Sequence, residues 1–324
     1  MFGLFSGTPF DPEKIPNLTG KVIIITGANG GLGYESLLLL AQHSPAKIYL
    51  CARSKAKYEE AMKGIVRKVP NAEDFVYHLE LDLASLASVK RAAQTFLQDN
   101  YRLDILMNNA GIMAIPPALT EDGYETQFGT NHMGHFLFTK ELLPLLLSTA
   151  EKPKSDVRII NLTSLGHNFA TLLGGFVPET CKTTMADYSA WVRYGQSKLA
   201  NILFTTQLAK RYPNITSVSI HPGAVATSLA NTVTSNYFII RWAFAVLQYF
   251  FKSPAQGALN QTWAAAAPVK GKPGSGGGSI VEVEQGQYYV PVAKVGAKSK
   301  YAQDEEMSER LWEWSEEELK SQSY

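Results

Sequence analysis

Charge imbalance is the first thing this chain of 324 residues lacks: 30 Lys and Arg stand against 29 Asp and Glu, a formal charge of +1. With no basic surplus and no acidic tail, no nucleic-acid partner is expected. Cysteine is scarcer still, only Cys51 and Cys181, with no C-x-x-C and no run at ligand spacing. A disulfide framework and a structural zinc site are therefore unsupported, and a reducing compartment, the cytoplasm, is expected. Long apolar runs are missing as well. Met1 to Gly20 opens as Met-Phe-Gly-Leu-Phe and then turns polar without a basic leader or cleavage pattern, so residues 1–17 are expected to form an arm. Tyr237 to Phe251 is more apolar, but its 15 residues carry Arg241 and Gln248. That falls short of the roughly 20 residues needed to cross a bilayer. Against these absences stand 45% hydrophobic and 18% charged residues, enough for a sizeable core in one large α/β domain.

Lys21 to Thr26 (Lys-Val-Ile-Ile-Ile-Thr) is a β-branched run closed by a Gly-rich turn, as suits a strand buried on both faces. A helix is expected from Leu32 to His43, and the alternation then repeats. Strands are expected at 47–51, 75–80, 103–108, 157–162 and 216–221, with helices from Ser54 and over 86–100, 122–148, 187–212 and 254–267. Such alternation means right-handed βαβ units and a parallel sheet covered on both faces. Gln287 to Pro291 reads as an edge strand, because Pro291 cannot donate to a ladder. An amphipathic helix is expected over 304–319. The Gly- and Ser-rich stretch at 270–279 reads as a flexible surface loop.

Thr26-Gly27-Ala28-Asn29-Gly30-Gly31-Leu32-Gly33 joins the first strand to the first helix. Glycine there permits a tight turn and close approach of an anion to the helix N-terminus. No Lys follows as a P-loop needs, so nucleoside triphosphate hydrolysis is disfavoured; a purely structural turn is the plain alternative. About twenty residues on, where an acid would grip the ribose hydroxyls of NAD, the second strand ends in Arg53. Its fork of donors suits a 2′-phosphate, with Lys55 and Lys57 nearby, and NADP is expected; a solvated Arg opening a helix is the alternative. Asp82 could accept from an adenine amino group or simply cap a helix.

Tyr194-Gly195-Gln196-Ser197-Lys198 falls in a helical pattern, so Tyr194 and Lys198 share one face. An ammonium at roughly 4 to 6 Å would lower the phenol pKa by about two to three units, into general acid/base range. Alone, such a pair is more often a surface pair. Asn108-Asn109-Ala110-Gly111 ends the fourth strand and Ser164 follows the fifth, both at the carboxyl edge where open α/β folds bind ligands. Asn131 on the long helix could join them. A serine-hydrolase elbow is excluded because position 162 is Leu rather than Gly. His132 and His135 lack a third ligand and an H-E-x-x-H pattern, so they are expected to pack and no metal is expected. His167 either faces the substrate or bonds backbone.

In these separated motifs, taken in order with Pro222-Gly223, the sequence resembles the short-chain dehydrogenase/reductase superfamily. Asn131-His132-Met133-Gly134-His135-Phe136 and Ser197-Lys198-Leu199-Ala200-Asn201 are similar to the retinol-dehydrogenase-like branch and its soluble microbial and fungal relatives. The resemblance implies a single doubly wound Rossmann domain over 18–324, with a mainly parallel seven-stranded sheet, a lid helix and a C-terminal helix. It implies a catalytic tetrad of Asn131, Ser164, Tyr194 and Lys198: Tyr transfers the proton, Ser bonds the substrate oxygen, Lys holds the ribose and lowers the Tyr pKa, and Asn positions a water relay. Cofactor contacts are expected at Gly27, Asn29, Gly31, Leu32, Gly33, Arg53, Asp82, Leu83, Asn109, Ala110, Gly111, Tyr194, Lys198, Pro222, Gly223, Val225 and Thr227.

Ser164 and Tyr194 stand 30 residues apart, longer than in compact members, so 165–190 is expected to form an insert beside the site. The apolar anchor of many retinol dehydrogenases is also missing from the opening residues. The expected activity is thus NADP(H)-dependent hydride transfer to or from a lipophilic ketone, aldehyde or alcohol, as in tailoring enzymes of secondary metabolism acting on lipids, terpenoids or polyketides. A non-catalytic dinucleotide sensor or scaffold, and a non-redox lyase or epimerase using Tyr194 as base, are the alternatives. The 228–253 segment is expected to close over the substrate as a lid, its outer face meeting a membrane surface or a partner subunit in a homodimer.

Overall fold

The structure, a computed structural model, describes residues 10–225, 252–272 and 281–324. Nearly all of the expected lid, most of the Gly-rich loop and residues 1–9 of the expected arm lie outside the described residues. The strands are β1 (Val22–Thr26), β2 (Lys47–Ala52), β3 (Val76–Glu80), β4 (Ile105–Asn108), β5 (Arg158–Leu162), β6 (Thr216–Ile220), β7 (Tyr288–Val290) and β8 (Lys294–Val295). They form one sheet in the order β3-β2-β1-β4-β5-β6-β7-β8, parallel throughout except for the last pair. The order reverses between β1 and β4, and that switch point opens the crevice at the carboxyl ends of the strands.

The β-branched run of β1 explains its central place. Val22 and Ile24 point into one core, Ile23 and Ile25 into the other, and none meets solvent appreciably. Each fully buried Ile contributes about 1.5 to 3 kcal/mol of apolar transfer, which makes a two-sided strand the stable choice. One face carries α3 (Leu86–Asp99), α5 (Gly134–Ala150), α6 (Ala190–Arg211) and α8 (Glu305–Ser321). The other carries α1 (Gly31–Ala41), α2 (Lys55–Lys68) and α7 (Pro254–Ala266). Side chains fix several helix starts: Ser85 Oγ accepts from Ser88 N at 3.3 Å, Asp304 Oδ1 accepts from Met307 N at 2.9 Å, and Ser253 with Gln256 forms a reciprocal capping box.

Two differences from the sequence expectation concern the sheet edge and the long helix. β7 is not an edge strand: β8 pairs outside it antiparallel, Tyr289 with Val295 and Val290 with Lys294, so the sheet has eight strands. Pro291 lies just past β7, where its missing N–H removes no ladder bond. The expected helix over 122–148 begins later, as α4 (Thr126–Phe128), and passes through a π turn at Gly129–Met133 before α5. Among the described residues, no helix is long and apolar enough to cross a membrane.

The 165–190 segment starts as a 3-10 turn, Leu165–Leu172, pressed onto α6. A Cβ at Gly195 would sit 2.8 Å from Ala170 N and Gly166 O, so glycine is what allows the approach. Further on, Phe176 is buried against Phe128 and Trp314, tying the segment to α8.

Candidate active site

Backbone conformation or space calls for glycine at three places in the phosphate turn. Gly27 and Gly31 hold left-handed backbone at φ +66° and +55°. A Cβ on Gly33 would fall 2.5 Å from Asn109 Nδ2 and 2.7 Å from Gly27 O. The turn thus lies flat on β4 and leaves the N-terminus of the 11-residue α1 open toward the crevice.

Thr26 locks β1 to β4 beneath it. Its Oγ1 accepts from Asn109 N and Ala110 N, each at 2.9 Å, while Asn109 Nδ2 donates to Thr26 O at 2.7 Å. The same hydroxyl lies 2.9 Å from His135 Nε2, and His135 Nδ1 lies 3.0 Å from the Asn131 carbonyl. A carbonyl only accepts, so Nδ1 carries the hydrogen and Nε2 accepts the Thr26 O–H. Burial, with Lys198 as a minor contributor, pushes the His135 pKa down to about 4, which keeps this neutral tautomer.

Asn131 sits in the π turn, where a widened helical turn often marks a functional position. Its Oδ1 accepts from Ile112 N at 2.8 Å, and its Nδ2 donates to Ile112 O and to Ser197 Oγ, both at 2.9 Å. Both amide hydrogens are therefore committed within the protein, and the side chain braces the loop following Gly111 against α6.

Tyr194, Ser164 and Lys198 converge as their spacing requires. Tyr194 and Ser164 both flank Gly166, and Lys198 Nζ lies 5.7 Å from the Tyr194 ring centroid and donates to Leu162 O at 3.1 Å. A Cβ on Gly166 would meet Tyr194 Cε1 at 2.8 Å, so that glycine makes room for the ring. The electrostatics differ from the expectation. Burial pushes the Tyr194 phenol up to about 12, with the neighbouring Ser164 hydroxyl opposing, and pushes the Lys198 ammonium down to about 8. Desolvation of both groups outweighs the attraction expected from Lys198.

One cavity of about 890 Å³ joins these parts. It is lined by Gly27, Asn29, Gly31, Leu32, Arg53, Asp82, Leu83, Asn109, Ala110, Gly111, Ser164, Tyr194, Lys198, Pro222, Gly223 and Val225. Gly33 and Asn131 stand behind this lining, and Thr227 lies outside the described residues. Arg53 is exposed at the rim with Lys57 beside the same cavity, while Lys55 faces away to pair with Glu59. Asp82, in the lining, accepts from Ala84 N through Oδ1 at 3.0 Å in an Asx turn. Beyond Tyr194 the lining becomes apolar, through Ile112, Met113, Ile115, Leu165 and Trp191.

The other histidines have separate duties. His132 Nε2 meets Ser315 Oγ at 3.2 Å within an aromatic cluster, and burial pushes its pKa down to about 3. His167 bonds the Ser164 carbonyl through Nδ1 at 2.7 Å and accepts from Ser299 N through Nε2 at 3.3 Å, so it is a backbone tie rather than a substrate contact. Sequence reasoning missed Thr26 as a lock, although it stands in the quoted turn. It also missed Gln261, whose Nε2 donates to Asn109 Oδ1 at 3.1 Å and to Ser36 Oγ at 2.6 Å. No local pattern flags a helical Gln so far along the chain.

A doubly wound sheet with a glycine turn at its switch point and a Tyr–Lys pair across the crevice defines a dinucleotide-dependent oxidoreductase. The short chain dehydrogenase family model matches residues 21–172. A short-chain dehydrogenase/reductase of Aspergillus calidoustus is 37% identical over 96% of this chain and 98% of its own length. Retinol dehydrogenase 12 of Mus musculus is 35% identical over 91% of this chain and 85% of its own. Among solved structures, a protein from Mycobacterium Paratuberculosis superposes with a TM-score of 0.71 at 29% identity, covering 97% of this chain and 98% of the other. An NADPH-bound carbonyl reductase from chicken fatty liver shares the fold, with a TM-score of 0.61 at 21% identity over 86% and 99%. The chain belongs to the short-chain dehydrogenase/reductase family and is retinol-dehydrogenase-like. Members bind nicotinamide dinucleotides, and the glycine cradle, helix N-terminus and cavity found here fit such a group.

Proposed function

We propose that the protein reduces a lipophilic ketone or aldehyde, or oxidises the matching alcohol, with NADP(H) and with Tyr194, Ser164, Lys198 and Asn131 as its working residues. The carrying observation is the single cavity that runs from Arg53 and the glycine turn, past Tyr194 and Ser164, to an apolar wall of Ile112, Met113, Ile115, Leu165 and Trp191. When bound, the dinucleotide supplies or accepts the hydride. Ser164 and Tyr194 hold the substrate oxygen between two hydroxyls. In the reducing direction the Tyr194 O–H transfers its proton to that oxygen as the carbon gains the hydride, and a phenol pushed up to about 12 is fully protonated at neutral pH. Lys198, hung from the Leu162 carbonyl, presents its ammonium to ligand hydroxyls beside Gly111. Arg53, an exposed cation at the end of β2, supports the 2′-phosphate of NADP over the plain ribose of NAD. The apolar wall supports substrates the size of terpenoids or polyketides, of the kind tailored in secondary metabolism.

The test is a screen of lipophilic ketones, aldehydes and alcohols with both dinucleotides, following nicotinamide absorbance, with Tyr194→Phe as control. Tyr194→Phe keeps the ring and loses the acid, so turnover should fall about 10²-fold or more while NADPH affinity holds. Near wild-type turnover in that variant overturns the role of Tyr194. Product without net nicotinamide change identifies a lyase or epimerase instead, and cofactor binding without any turnover a sensor.

A further inference from the structure

The apolar wall beside Tyr194 is an irregular loop, Ile112 to Ile115, fixed at several points. Asn131 holds both the N–H and the C=O of Ile112. Ala114, a non-glycine residue in left-handed backbone at φ +54°, donates to Gln127 Oε1 at 2.7 Å, and Gln127 Nε2 donates to Ala190 O at 3.1 Å. The last fixing is a charge. Arg193, next to Tyr194 on α6, donates from Nη2 to Ile115 O at 2.9 Å, and its Nη1 lies 3.6 Å from Glu125 Oε1.

Arg193 and Glu125 are almost wholly shut off from solvent. Among the described residues, Arg193 Nε and Nη1 and Glu125 Oε1 have no hydrogen-bond partner. A pair this loosely satisfied does not recover the desolvation of its charges, and well-packed apolar replacements for such pairs are often neutral or stabilising. Stability alone therefore does not account for it. What the guanidinium does provide is a fixed, long-reach donor that ties the carbonyl of Ile115 to the helix turn bearing Tyr194. The other tether of the wall, through Gln127 to Ala190, reaches the same helix start.

We propose that the Arg193–Glu125 pair is a specificity-determining positioning device: it holds the Met113–Ile115 wall at a set distance from the Tyr194 hydroxyl, and so sets the bulk of the carbonyl substrate that aligns there. This rests on the function proposed above. Arg193 touches neither substrate nor cofactor and acts through the wall. Releasing Ile115 O lets the wall drift, which penalises a bulky substrate that packs on it more than a small one that needs only Ser164 and Tyr194.

The experiment compares wild type, Arg193→Met, Arg193→Lys and the double variant Glu125→Gln/Arg193→Met, which leaves no lone buried charge. For the Met variants the preference for a bulky over a small ketone, as a ratio of kcat/KM, should fall about tenfold or more, chiefly through KM of the bulky substrate. The double variant should melt no lower than wild type, NADPH affinity should hold, and Arg193→Lys should restore part of the preference. Amide hydrogen exchange over 112–115, read without substrate, should quicken in the Met variants. An unchanged preference with unchanged exchange overturns the proposal, and so does a double variant that fails to fold, which would make the pair purely structural. If wild type turns over no carbonyl, the function proposed above fails, and the exchange measurement alone decides whether Arg193 holds the wall.

Discussion

Mild acid should destabilise this protein through its buried histidines. His132, His135 and His221 are all buried, and burial is the leading cause that pushes their pKa values down to about 3, 4 and 4 from the ordinary histidine value near 6.5. His135 lowers His132 further, Lys198 acts on His135, and His167 and Lys252 act on His221. In the folded chain the three stay neutral until the pH nears 4, whereas in the unfolded chain they protonate near 6.5. Between those values the unfolded state binds more protons, so stability falls as pH falls. At about pH 5 each histidine costs about 2 kcal/mol and the three about 6 kcal/mol, at 1.36 kcal/mol per pH unit. That is comparable with a whole domain's stability of about 5 to 15 kcal/mol.

The assay is the thermal midpoint by circular dichroism from about pH 8 down to 4.5, in the cofactor-free protein. The midpoint should hold down to about pH 6.5 and then drop steeply. His132 lies within 5.1 Å of the Phe128 ring and 5.7 Å of the Phe136 ring, so His132→Phe fills the same slot and should remove roughly a third of the acid slope. A flat midpoint between pH 7 and 5, or ring signals assigned to His132, His135 or His221 that titrate near 6.5 in the folded protein, refutes the reasoning.

Three other outcomes follow. Arg53→Asp should weaken NADPH about tenfold or more and NADH less, read by fluorescence titration; equal losses remove Arg53 from a 2′-phosphate site. Gly33→Ala drives a Cβ into Gly27 O and Asn109 Nδ2, so the turn must shift; NADPH affinity should drop with a stability loss of about 1 to 3 kcal/mol in denaturant titration, and an unperturbed variant contradicts the packing. In the cofactor-free protein, Tyr194 should remain a phenol at about pH 9 in ring-labelled spectra assigned with Tyr194→Phe; a phenolate there would restore the purely electrostatic expectation.

Much of the fold was legible because strand signals were local. β1 through β6 each begin and end within two residues of the expected bounds, since the residues that limit a strand lie beside it in sequence. β8 was not, because a two-residue strand has no periodicity and exists only where β7 offers an edge. The Tyr–Lys pair and the glycine turn were legible from spacing, as i, i+4 geometry needs no partner to interpret it. The Thr26–His135–Asn131 tie, the Gln261 brace and the Arg193–Glu125 pair were not, since each joins residues from distant elements and none has a pattern of its own.

The sign of the Tyr194 shift shows what spacing omits. An ammonium can lower a phenol's pKa only if it is still charged when the phenol ionises. Spacing supplies a separation of roughly 4 to 6 Å, at which the attraction would be about 3 to 4 kcal/mol with an effective dielectric of about 20. Burial supplies the order of titration: Lys198 loses its charge near 8, long before Tyr194 would lose its proton near 12, so at the decisive pH there is no charge to help. The pair becomes coupled only when a bound acceptor beside Nζ raises Lys198 again. Without such an acceptor Tyr194 stays an acid that holds its proton, and Ser164 is the lone group that favours its release.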